Sequence, residues 1–276
     1  MPAPNAQLFA QTAKLLFQSN ALQLPVDWSQ PNEQFPDAFA PGERQTAPAP
    51  PDSLFREPTL NQYHTDAAGT LNDEYADFID GVTAALCDAV GQWMNMVMIA
   101  GAMITGPTCM VLPGNFTPVP ILPFFMASAP MDTPQKMRFS NAIGQAFAMG
   151  WTAWSAGLMG TLMYPAFAAF PGPMAPPTPN VPLPLITFTS PGEAMMSPSS
   201  LSSQMMGLLG DPTAAFAQEL FDAISQAWST VFPMWRGSTM VTNVLGMGPI
   251  PTFAPPFVPV GPVMGGTTIP APGVLS

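Results

Sequence analysis

Three stretches of this chain align on one another without a gap: residues 78–93 (FIDGVTAALCDAVGQW), 139–154 (FSNAIGQAFAMGWTAW) and 220–235 (LFDAISQAWSTVFPMW). Each opens on a large apolar residue (Phe78, Phe139, Leu220) and closes on a tryptophan (Trp93, Trp154, Trp235). Between them, matching positions hold Val82, Ile143 and Ile224, then Leu86, Phe147 and Trp228, then Val90, Trp151 and Phe232. Offsets of 0, 4, 7, 8, 12 and 15 from the first residue trace one face of an α-helix, because side chains three and four apart stack on the same side. The opposite face is polar in every copy, with Asp80, Asp88 and Gln92, then Asn141, Gln145 and Thr152, then Asp222, Ser225 and Ser229. The repeat predicts three amphipathic helices that pack by their apolar stripes. Phe78, Trp93, Phe139, Trp151, Trp154, Leu220, Trp228 and Trp235 are the candidate packing or interface anchors.

Each copy is followed by apolar sequence punctuated by proline, at residues 106–125, 164–188 and 246–266. Proline fixes φ and removes a backbone donor, so these segments are not expected to form central strands over their length. They read as extended covers laid along the helices or along a partner. The expected fold class is mainly α with extended proline-rich segments, built as three units of an amphipathic helix plus an apolar Pro/Gly tail. In that organisation residues 1–72 form an extended arm with a short helix, 73–135 the first unit and 136–189 the second. A polar loop follows at 190–210, and 211–276 hold the third unit and the C-terminal tail. Thr70 or Asn72 is placed to cap the first copy, and Asp211 followed by Pro212 to start the third. Pro233 predicts a kink or a stop. Within the arm, Trp28, Phe35, Phe39, Phe55 and Tyr63 are spaced along polar, proline-rich sequence suited to docking on neighbouring subunits.

Charged residues make up 8% of the chain and apolar ones 47%, with 37 prolines and 21 methionines in 276 residues. An ordinary soluble domain carries about 25% charge, so part of this surface is expected to be covered by protein or lipid. The net charge of −11 argues against direct nucleic-acid binding, which needs clustered Lys and Arg. The two cysteines, Cys87 and Cys109, and the single histidine, His64, make neither a disulfide framework nor a zinc site. Asp73, Asp77 and Asp80 fall at helical spacing but read as a solvated helix face. No nucleophile elbow or phosphate-cradling loop is legible, so no catalytic residue and no cofactor is expected. The start of the chain lacks a secretory signal pattern, which predicts assembly in the cytoplasm.

Two stretches approach membrane-spanning length, residues 93–112 and 142–170, but each contains glycine and proline and neither is flanked by a basic cluster. A membrane-associated pore or lysis factor is the alternative expectation. A helix followed by a Gly/Pro-rich apolar tail resembles small structural proteins of tailed phages and related contractile injection particles. The residues that carry the resemblance are FDAISQAW (221–228), VTNVLGMGPI (241–250) and GPVMGGTTIPAPGVLS (261–276). The threefold use of the unit and the proline load depart from that pattern. The resemblance implies a non-enzymatic virion component, with other particle proteins or further copies of the chain as partners.

Overall fold

A computed structural model describes residues 3–20, 60–168, 173–251 and 260–276. Trp28, Phe35, Phe39 and Phe55 of the expected docking arm lie outside them. The described helices are α1 (Ala6–Asn20), α2 (Leu60–Met96), α3 (Leu122–Met126), α4 (Pro134–Ala156), α5 (Pro198–Leu209) and α6 (Ala217–Ser238). The three repeat copies fall within α2, α4 and α6, and their apolar stripes are buried.

α2 begins at Leu60, ahead of the caps expected at Thr70 or Asn72. α4 begins as a helix should, with the Thr133 hydroxyl accepting from the Lys136 amide at 3.1 Å and Pro134 in the first turn. α6 begins at Ala217 rather than at Pro212. Asp211 instead closes a turn, its carboxylate accepting from the Thr213 amide and hydroxyl. Pro233 lies inside α6 without ending it. The segment expected to be a polar loop carries a 3₁₀ turn, Pro191–Met196, and then α5, which Gly210 closes in the left-handed conformation.

The expectation of a mainly α fold with proline-rich tails is overturned by a six-stranded antiparallel sheet, which makes this a mixed α/β protein. Its strands are β1 (Met103–Gly106), β2 (Thr108–Val111), β3 (Gly160–Met163), β5 (Met174–Pro179), β8 (Leu245–Pro249) and β10 (Val263–Ile269), in the order β3-β2-β1-β10-β8-β5. The remaining strands, β4 (Phe167–Ala168) with β9 (Val260–Gly261) and β6 (Leu183–Pro184) with β7 (Met240–Val241), form two small pairs. The proline argument fails because the strands are short and run between prolines. Pro107 turns β1 into β2, Pro249 ends β8, and Pro262 and Pro270 flank β10. Only β5 holds prolines along its length (Pro176, Pro177, Pro179), and it is an edge strand, where a missing amide is tolerated. The inner sheet face, with Ile104, Cys109, Val111, Leu162 and Val263, joins the helical stripes in one buried cluster.

Candidate functional site

The repeat stripes meet at both of their ends. At the first, the rings of Phe78 and Phe139 stand 6.3 Å apart, edge to face, and Phe139 lies 5.5 Å from Phe221. Phe78, Phe139 and Leu220 line a cleft of about 360 Å³ rimmed by Glu74, Asp132 and Lys136. At the second, about 22 Å further along each helix at 1.5 Å per residue, the tryptophans converge. Trp93 is 5.0 Å from Trp151 and 5.9 Å from Trp154, Trp154 is 6.1 Å from Trp235, and Trp151 is 6.4 Å from Trp228. Since both ends coincide, α2, α4 and α6 run parallel and deliver their chains toward the sheet from the tryptophan end.

All five indoles are buried, and none of their N–H groups has a hydrogen-bond partner. A buried indole usually finds an acceptor. Here each is surrounded by other rings, and perpendicular contacts such as Trp93 on Trp151 at 88° leave weak N–H to ring-face contacts as what these donors can make. Arg236 enters the same cluster and is itself buried. Its guanidinium donates to Glu193 Oε1 at 2.7 Å and to the Phe188 carbonyl at 2.8 Å, and lies 5.8 Å from the Trp154 ring centre and 5.4 Å from that of Phe232. No local pattern singles out Arg236, whose partners lie 43 and 48 residues away.

Small residues set the spacing beside this cluster. A β-carbon at Gly160 would come within 2.7 Å of the Phe188 ring, and one at Gly157 within 2.5 Å of Ser190 Oγ. These glycines admit the returning 188–191 segment. The Ser190 hydroxyl donates to the Trp154 carbonyl at 2.7 Å, tying the end of the second repeat copy to that segment.

The outer sheet face presents a second arrangement. Register pairs Met163 with Thr108, Thr108 with Thr105 and Thr105 with Met264 in one row. The next row runs Thr161, Met110, Met103, Thr267, Met247. Methionine and threonine alone occupy these two rows, and Met103 and Met110 are 64% and 59% exposed. Residues 89–131, 139–192 and 237–276, which hold the ten described strands, contain no Asp, Glu, Lys, Arg or His. The described ion pairs all lie on the helical side: Lys14 with Asp80, Lys136 with Asp132, Arg138 with Asp211 and Arg236 with Glu193. Among the described residues, charge is therefore confined to the helical part and the strands carry none. The alternation at 103–106 and 108–111 is one of burial and not of polarity, because methionine takes exposed positions beside threonine, so the sequence carries no period-two signal for this face.

Asp73, Asp77 and Asp80 stand exposed on α2, and no group of three His, Cys, Asp or Glu side chains placed to hold a metal occurs among the described residues. Cys87 and Cys109 are both free and buried. Burial pushes both thiols up to about 12, with Asp88 adding to the effect at Cys87, so neither is a thiolate at neutral pH. The two stretches of membrane-spanning length are each divided between a helix end and strands. Among the described residues no helix is long and apolar enough to cross a membrane. Compared with family models, curated proteins and solved structures, the chain has no significant match.

Proposed function

We propose that this protein is a non-enzymatic structural component of a virion or phage-like particle, assembled in the cytoplasm and held in place by subunit contacts. The observation that carries the reading is the segregation of charge. A well-solvated surface is about 25–35% charged, whereas the described strands have no charged side chain and expose Met103, Met110, Met163, Met174 and Met264. An apolar face of this kind is covered by a partner in working proteins, and flexible, polarizable methionine adapts to the surface it meets. The resemblance of residues 221–228, 241–250 and 261–276 to phage and injection-particle structural proteins supports the same reading. These residues supply the middle of α6, strands β7 and β8, and β10 with the C-terminal tail.

The test is to separate purified particles from the particle-free fraction and quantify this chain in each by mass spectrometry. It is expected in the particle fraction, at an abundance comparable with the known structural subunits. Recovery only as a free monomer in the particle-free fraction would overturn the proposal.

A further inference from the structure

We infer that Met103, Met110 and Met163 form a soft-metal site on the outside of the sheet, built from three thioethers and fitted to Cu(I). The inference goes beyond the structural reading above and does not depend on it.

The curl of the sheet limits what its outward side chains can share. Its edges meet, with the Val181 amide donating to the Met163 carbonyl at 2.7 Å and the Tyr164 hydroxyl to the Val244 carbonyl at 3.1 Å. The methionine and threonine rows therefore turn around the outside, and only side chains on neighbouring strands can hold one small ligand together. Met103 and Met110 are direct partners across β1 and β2, which sets their Cα atoms about 5 Å apart. Met163 on β3 faces Thr108 and so stands on the diagonal from Met110, at about 7–8 Å for such positions. The other two corners of that rectangle are Thr108 and Thr161, whose side chains are shorter than methionine.

Metal–sulfur bonds of about 2.3 Å put two sulfurs on one ion about 4 Å apart. Methionine closes the remaining gap with three rotatable side-chain bonds. At 64%, 59% and 46% exposure, Met103, Met110 and Met163 have little packing to give up when they turn toward an ion.

Donor chemistry selects the ion. Ca(II) and Mg(II) take oxygen ligands, and Zn(II) takes thiolate, imidazole or carboxylate. The stretches that hold the described strands contain no Asp, Glu or His, and Cys109 is buried on the inward side of β2. Thioethers select Cu(I) among the metals. They are also neutral, so a monovalent ion is left with less uncompensated charge than a divalent one. Thiols, imidazoles and carboxylates must lose a proton before they bind, which makes their affinity depend on pH. A thioether has no proton to lose.

Calorimetric titration of the full chain with Cu(I), kept reduced by ascorbate under nitrogen in dilute acetonitrile, tests the site. The chain is expected to bind one Cu(I), with the same affinity from about pH 5 to about pH 8. M103L/M110L and M163L, which keep the apolar bulk and remove only sulfur, are each expected to bind at least about tenfold more weakly, a loss that even an outer-shell change brings at metal sites. M234L, which removes a 59%-exposed thioether from α6, is expected to bind like the parent. In chains carrying methyl-labelled methionine, the resonances of Met103, Met110 and Met163 are expected to move together with Cu(I) and to stay in place with Zn(II). A chain that takes up no Cu(I) at its solubility limit overturns the inference, and so does M103L/M110L binding like the parent. Uptake that weakens as pH falls and leaves those three resonances in place overturns it in favour of the buried thiols. The two readings of these methionines also separate. Failure of the parent to enter particles while it binds Cu(I) removes the structural reading alone, and entry into particles without Cu(I) binding removes this inference alone.

Discussion

Arg236 is a charged residue held where water does not reach, and its surroundings divide the work unequally. One contact is to Glu193, whose side chain is 48% exposed, and another is to the buried carbonyl of Phe188. The rings of Trp154 and Phe232 cover the guanidinium besides. Removing Glu193 lets water reach the outer nitrogen, so E193A is expected to cost no more than about 1 kcal/mol, as for a half-exposed pair. Removing Arg236 strips a donor from a buried carbonyl and opens a gap among the rings, so R236A is expected to cost about 3 kcal/mol or more. Urea unfolding of the two variants separates these outcomes. Equal losses would mean that the ion pair alone holds the arginine. Trp93, Trp154 and Trp235 were legible in the sequence because each stands fifteen positions after the opening apolar residue of its copy. Arg236 was not, because its position depends on which loop returns to the helix end, and no local pattern encodes that.

At the scale of elements, the stripes made three helices legible while the prolines concealed the sheet. The rule that proline is excluded from central strands held at each position, for no central strand of the sheet carries one in its interior. The error lay in applying the rule to segments of twenty residues when the strands need only four to seven. α5 was missed because its composition of serine, methionine and glycine gives little periodic contrast, and because Ser-Pro at 197–198 reads equally as a turn or as a helix start. The 3₁₀ turn ahead of it is held against α4 by a backbone approach that only glycine allows. A β-carbon at Gly192 would overlap the carbonyl of Ala153 and come within 2.7 Å of the Trp154 amide nitrogen. Both obstacles are backbone and cannot swing aside, so G192A is expected to destabilise by about 2 kcal/mol or more, in the range of overpacked cores. G207A is the matched comparison, since nothing lies within 4 Å of a β-carbon there and the residue is inside α5. It is expected to be neutral or to stabilise by up to about 1 kcal/mol through helix propensity. Thermal melts of the pair check the sign of both. A neutral G192A would show that the turn can leave α4 without loss.

Across the whole molecule, the charged helical layer and the uncharged sheet look like separate bodies by composition yet share one buried cluster. The two cysteines report on whether they also unfold as one. Cys87 lies on α2 and Cys109 on β2, and each is at most 2% exposed. A thiol reagent reaches either only after an opening, and the size of that opening is read from how its labelling responds to denaturant. Ile104, Val111 and Leu162 belong to the same buried cluster as the helical stripes, so exposing them opens that cluster. A single cooperative unit is therefore expected. In a denaturant series, labelling of Cys87 and Cys109, followed separately by peptide mass spectrometry, should rise with the same midpoint and slope as the loss of helical circular dichroism. A sheet that opens by itself would label Cys109 at lower denaturant and with a smaller slope, while Cys87 stayed protected. That result would make the β layer a detachable unit, with the three-helix stripe packing as the only globally stable part of the fold.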